Sequence, residues 1–221
     1  TMKKLLSQIR ITEVGDTAHR LVSLYKSTAT LKDEAFLKPL FVEMEEKANT
    51  LTEAVRSEAV ISQLENADAK RDGAIRVLDR LLKGYKTIPL DTLKAYGVQL
   101  SAVFKKYGVK MVGENYSSQS NLVDSLLKDL SASDLVEAVA GLPGVAEAIA
   151  NIRTAQEEFT KIRANYDKEL AQKGSKETAT SLRKPLLELI NNKLLTYLAA
   201  MKIANPTKYK VFSEDVAVII T

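Results

Sequence analysis

Between residues 143 and 172 the apolar side chains Val145, Ala148, Ile152, Ala155, Phe159, Ile162 and Tyr166 recur at intervals of three and four. That spacing is the period of one helix face. The run predicts a helix from 143 to 172, roughly 45 Å long at 1.5 Å per residue. A helix of that length needs long neighbours to cover its stripe, and the rest of the chain supplies them. Only 9 Gly and 5 Pro punctuate 221 residues, while Ala, Leu, Lys and Glu abound, so long helices are favoured over strands.

The same stripe recurs elsewhere. Leu21, Leu24 and Tyr25 mark a helix over 16 to 29. Phe36, Leu37, Leu40, Phe41, Met44, Ala48, Leu51 and Val55 mark a second, to about residue 64, with Asp33 as its N-cap and Pro39 in or near its first turn. In "NADAKRDGAIRVLDRLLKGYK", Asn66 or Asp68 then reads as the cap of a new helix. There Asp72 sits at the positive end of the dipole, and Ile75, Leu78, Leu81, Leu82 and Tyr85 form the buried stripe. Asp91 caps the next helix and Gly108 ends it; Ser117 or Ser118 opens another, with Leu122, Val123, Leu126 and Leu127 on its apolar face. "GLPGV" at 141 to 145 is a break, "KGSKETAT" a turn, and Pro185 a kink or a start for the stripe Leu186 to Met201. The β-prone "VAVIIT" reads as a short helix capping the bundle. The expected fold is all-α: an elongated bundle of about six to eight helices in one domain. "NLVDSLLKDL" echoes "HRLVSLYKST" about a hundred residues earlier, which suggests an internal duplication with halves near 14–112 and 117–221.

With no cysteine, disulfides, thiolate chemistry and sulfur-bound metals are excluded. The start has a basic end but too short an apolar core for a signal peptide, and no apolar run approaches the ~20 residues of a membrane span. A cytoplasmic setting is expected. The net charge of +4 is too small to argue a nucleic-acid partner by itself.

Three stretches resemble one known family. They are "ENADAKRDGAIRVL", "KKYGVKMVGENYSSQSNLVDSL" and "LVEAVAGLPGVAEAIANIRTAQEEFTKIRANYDKEL". The family comprises uncharacterised proteins of gut anaerobic bacteria that carry a domain of unknown function. Its pattern falls at Ala67, Asp68, Arg71 and Asp72, then Tyr107, Gly108, Tyr116 and Asn121 to Val123, then Asn151, Phe159, Arg163 and Glu169. The chain departs from it at Val109 and at Leu142-Pro143, as a divergent member would. The resemblance implies a helical, cytoplasmic protein and assigns no activity, cofactor or catalytic residue.

Candidate chemistry is sparse. His19 is the only histidine, and Asp16 shares its helix face, but a carboxylate-bridged two-metal bundle needs a second Glu-x-x-His element. No cofactor or metal is expected. Asp68, Arg71 and Asp72 could hold a ligand or partner, since an arginine fork binds carboxylate or phosphate, or could simply form ion pairs at a helix start. "GLPG" lacks the lysine and spacing of a phosphate loop, and no GxSxG or HExxH motif occurs. From Arg80 to Lys110 seven basic residues face one acid, Asp91, with Tyr85, Tyr96 and Tyr107 at eleven-residue intervals. Lysines interleaved with tyrosines suit single-stranded nucleic acid. The same residues also suit a solvated face with tyrosines at the core boundary. The sequence thus supports a non-catalytic interaction or structural protein with a protein partner or self-association. The alternative is an anion or nucleic-acid binder using Lys105, Lys106 and Lys110, and an enzyme is the weaker class.

Overall fold

The computed structural model describes residues 2–172 and 177–220, whose regular secondary structure is helical throughout, with no strand among them. In chain order they form α1 (Ile11–Ser27), α2 (Leu37–Tyr85), α3 (Asp91–Tyr107), a 3₁₀ turn (Val109–Gly113), α4 (Tyr116–Leu130), a short 3₁₀ turn (Ser133–Leu135) and α5 (Val136–Gly141). There follow α6 (Val145–Gln172), α7 (Ala179–Glu188), a π-helical turn (Leu189–Leu194), α8 (Leu195–Ala204) and α9 (Pro206–Ile220). The expected turn at "KGSKETAT" falls outside the described residues over 173–176.

The chain divides into two compact units, one made of Thr1–Ala59 with Leu170–Thr221, the other of Val60–Glu169. Each unit therefore draws on both sequence halves. The first packs α1, the early part of α2, and α7 to α9 around Leu21, Met44, Leu186, Ile190, Leu198 and Val216. There Tyr25 and Phe41 stack at 4.2 Å, and Phe212 meets both rings edge-on. The second packs the later part of α2 with α3 to α6 around Ile75, Leu78, Leu100, Val123, Leu126 and Ile152. Beside that core, Leu64, Ala67 and Phe159 form a smaller cluster flanked by Tyr116.

Several helix ends differ from the sequence reading. The start of α2 is closed by Glu34, whose Oε2 accepts from Leu37 N–H at 2.6 Å and Phe36 N–H at 3.0 Å, while Asp33 pairs with Lys38. The other Glu34 oxygen accepts from the Tyr197 hydroxyl at 2.8 Å, and burial together with hydrogen bonds to Tyr209 and Glu34 pushes the Tyr197 phenol strongly up. No helix begins at Asn66 or Asp68, because α2 runs straight through both. Neither glycine nor proline interrupts 40 to 72, and cap-forming residues inside a helix cost only tenths of a kcal/mol (~0.5) against good formers on both sides. Asn115, not Ser117 or Ser118, caps α4, its side chain accepting from Ser118 N–H at 3.0 Å. Gly108 ends α3 in the left-handed region at φ 71°, and the final segment is helical with Pro206 at its first position. Pro185 lies inside α7 and is followed by the π-helical turn.

Candidate functional site

The second unit holds one arginine with no solvent exposure, Arg71. It reaches its place because residues 67, 71, 75, 78 and 82 lie on one face of α2, where four are apolar and buried and the fifth is this guanidinium. Burial of a charge demands partners, and α2, α4 and α6 provide them. Arg71 Nη2 donates to Asp68 Oδ1 at 2.7 Å, one turn earlier on α2. Nη1 donates to Ser120 Oγ on α4 and to Gln156 Oε1 on α6, each at 2.9 Å. The guanidinium carbon lies 3.7 Å from the centre of the Phe159 ring on α6, a cation–π contact worth about 2 kcal/mol when desolvated. Arg71 Nε has no protein partner.

The network continues outward. Gln156 Nε2 donates to Asp124 Oδ1 at 3.1 Å, and Gln119 Nε2 donates to Asp72 Oδ1 at 2.7 Å. Asp72 also pairs with Arg76, and Lys70 with Glu158 at 2.9 Å. Tyr116 packs edge-on against Phe159, where burial and the carboxylates of Asp68 and Glu65 push its phenol up. From α2, Arg71 is thus joined to α4 and α6 and Asp72 to α4, while Asp68 is held by Arg71 on α2 itself. Arg71 is sealed from solvent, so a ligand could reach it only if those helices parted.

Gln119, Ser120, Asp124 and Gln156 escaped the sequence reading. Gln156 carried a signal nonetheless, since it stands beside Ala155 in the apolar stripe of α6 and is itself 5% exposed. A polar side chain on a buried stripe announces a polar partner across the interface.

Lys105, Lys106 and Lys110 do not gather at one place. Lys106 pairs with Asp129 at 3.2 Å. Asp129 also accepts from the Tyr107 hydroxyl at 2.8 Å, and these two hydrogen bonds hold its carboxyl below the usual range. Lys110 is exposed on the 3₁₀ turn. Lys105 instead lines a cavity of about 180 Å³ with Lys83, Lys86, Ser101 and Phe104, where Lys83 is paired with Asp79 at 2.7 Å. The three tyrosine rings pack against the second core and spend their hydroxyls internally, Tyr85 on the Pro143 carbonyl, Tyr96 on Glu137 and Tyr107 on Asp129.

His19 Nε2 lies 3.1 Å from Thr52 Oγ1, and among the described residues no three His, Cys, Asp or Glu side chains converge as metal ligands would. No single helix among the described residues is long and apolar enough to cross a membrane.

Comparison with known proteins finds no match among curated proteins or solved structures. One family does match, over residues 61–215, a span that includes the whole Arg71 network and the lysine cavity. The chain belongs to the Family of unknown function (DUF6261).

Proposed function

We propose that the chain is a non-catalytic helical interaction module, a divergent bacterial member of its family. The observation that carries this reading is the use made of its polar groups. Arg71 bonds to Asp68, Ser120 and Gln156, and Gln119 to Asp72, so side chains that could have done chemistry are spent across α2, α4 and α6. Meanwhile large apolar side chains stand on outer faces: Ile203 at the end of α8, and Val211 and Val218 two turns apart on one face of α9. Exposed apolar groups at helical spacing are what a partner helix covers.

A second reading has its own observation. Lys83, Lys86 and Lys105 face one cavity, and among the described residues neither Lys86 nor Lys105 has an ion-pair partner. Such a cavity favours a phosphate-bearing ligand, nucleic acid included.

One experiment separates the two. The chain is used to capture partners from a native bacterial lysate with and without nuclease, as the intact protein, as Lys86→Glu/Lys105→Glu, and as Val211→Glu/Val218→Glu. A discrete protein, captured after nuclease, kept by the lysine variant and lost by the valine variant, is the expected result. Capture of nucleic acid that falls steeply with salt and vanishes in the lysine variant would replace the first reading with the second.

A further inference from the structure

The first unit contains a contact that packing alone does not require. Ahead of α1, residues 2–9 form an arm without regular secondary structure except a turn closed by Ile9 N–H on the Leu6 carbonyl. Asn191, in the π-helical turn, grips this arm by its main chain. Leu5 N–H donates to Asn191 Oδ1 at 2.9 Å, and Asn191 Nδ2 donates to the Leu5 carbonyl at 2.9 Å. Both polar groups of one residue are thereby satisfied by one side-chain amide, the pairing that a neighbouring strand would otherwise supply. Beside it Asn192 Oδ1 accepts from Lys4 Nζ at 3.0 Å, and Arg183 Nη1 donates to the Ile9 carbonyl at 3.4 Å. Met2, Leu5 and Ile9 lay their side chains, half-buried, against the first core, while Leu6 is exposed.

Main-chain hydrogen bonds for affinity, with apolar anchors at intervals for specificity, are the elements of peptide recognition. The π-helical turn fits that role, since such turns are rare, and where they occur they frequently mark functional sites. It presents Asn191 and Asn192 in succession toward a segment more than 180 residues away in sequence.

We propose that the surface formed by Arg183, Asn191 and Asn192 is a peptide-binding groove, occupied in cis by residues 2–9. Its partner is a peptide of the arm's own chemistry, a lysine followed by an apolar anchor with a second anchor four residues on. The arm then guards the groove, and a competing segment must displace it. This goes beyond the interaction reading above by naming a site and a ligand class, and it does not depend on α9.

The test empties the groove without shortening the chain. Leu5→Asp/Ile9→Asp removes the anchors of the arm, and a fluorescent synthetic peptide of residues 2–10 in the native sequence is titrated into the variant and the intact chain. The variant should bind the peptide, and the intact chain should bind it at least about tenfold more weakly because its own arm competes. Adding Asn191→Ala to the variant should weaken binding by about tenfold, the loss expected for two hydrogen bonds. A folded variant that does not bind the peptide overturns the groove. If that variant fails to fold, hydrogen exchange of the otherwise intact Asn191→Ala chain decides: faster exchange at Leu5 with unchanged α7 and α8 supports the grip, and unchanged exchange at Leu5 overturns it. Failure of the peptide titration with partner capture still lost in the α9 valine variant would remove the groove and leave the interaction module standing.

Discussion

Replacing Arg71 by alanine lowers the stability of the second unit by about 3 kcal/mol, the lower end of the ~3 to 5 kcal/mol typical when one member of a buried ion pair is removed. The lower end applies because the Asp68 side chain keeps 23% of its exposure and can regain water. The loss has three parts. Asp68 is left with an uncompensated charge, the Gln156 and Ser120 acceptors lose their donor, and Phe159 loses the flat group covering its ring. Because the chain is built of two units, a single melting curve would mix them. Amide hydrogen exchange in α4 and α6 isolates the effect, and protection there should fall roughly a hundredfold while α9 is unaffected. Lysine at 71 should rescue little, for it keeps the charge but not the planar fork or the stack on Phe159. Unchanged protection in the alanine variant would show that the network is incidental to the fold.

The second large effect concerns two glycines of α2 and α3 that respond in opposite directions to the same substitution. A methyl group on Gly97 would lie 2.7 Å from Tyr85 Cβ, 2.8 Å from the Tyr85 carbonyl carbon and 3.0 Å from Lys86 N. The obstruction is largely main chain at the end of α2, so it cannot move aside as a flexible side chain would. Gly97→Ala should therefore cost about 1 to 3 kcal/mol, as overpacking does. A methyl group on Gly73, in the later part of α2, meets nothing within 4 Å. Gly73→Ala should stabilise the second unit by about 0.5 to 1 kcal/mol, because alanine loses less backbone freedom on forming a helix. Amide hydrogen exchange in α3 and α4, which reads the second unit alone, checks both variants. The same sign for both would contradict the close approach of α3 to α2.

The helices were largely legible because their signal is local. The stripe from Val145 to Tyr166 predicts α6 to within two residues at its start, and Gly108 ends α3 where a glycine was needed. What was not local was misread. Asn66 and Asp68 look like caps in isolation, yet nothing breaks the helix around them, and the side chain of Asp68 is occupied by Arg71 instead of a helix amide. Asp68, Arg71 and Asp72 stood out as a charged knot, but Ser120 and Gln156, which give the knot its meaning, lie 49 and 85 residues away from Arg71. Lys105 and Lys106, adjacent in sequence, point to different surroundings because consecutive helical residues are about 100° apart. The arm's grip on Asn191 depends on a π-helical turn that no residue spacing announces.

The Arg71 network joins α2, α4 and α6, and on the function proposed above it serves the fold and not a ligand. The most direct test of this replaces the network by apolar groups in the full chain, Asp68→Ala/Arg71→Met/Gln156→Leu, and measures partner capture by the protein so altered. Replacing a buried ion pair and its polar partner together by apolar groups is often neutral or stabilising, whereas removing one member is not, so α4 and α6 should keep their exchange protection. Capture at the level of the intact chain is the predicted result. Loss of capture in a variant with undiminished protection would contradict the account and make these residues a binding site.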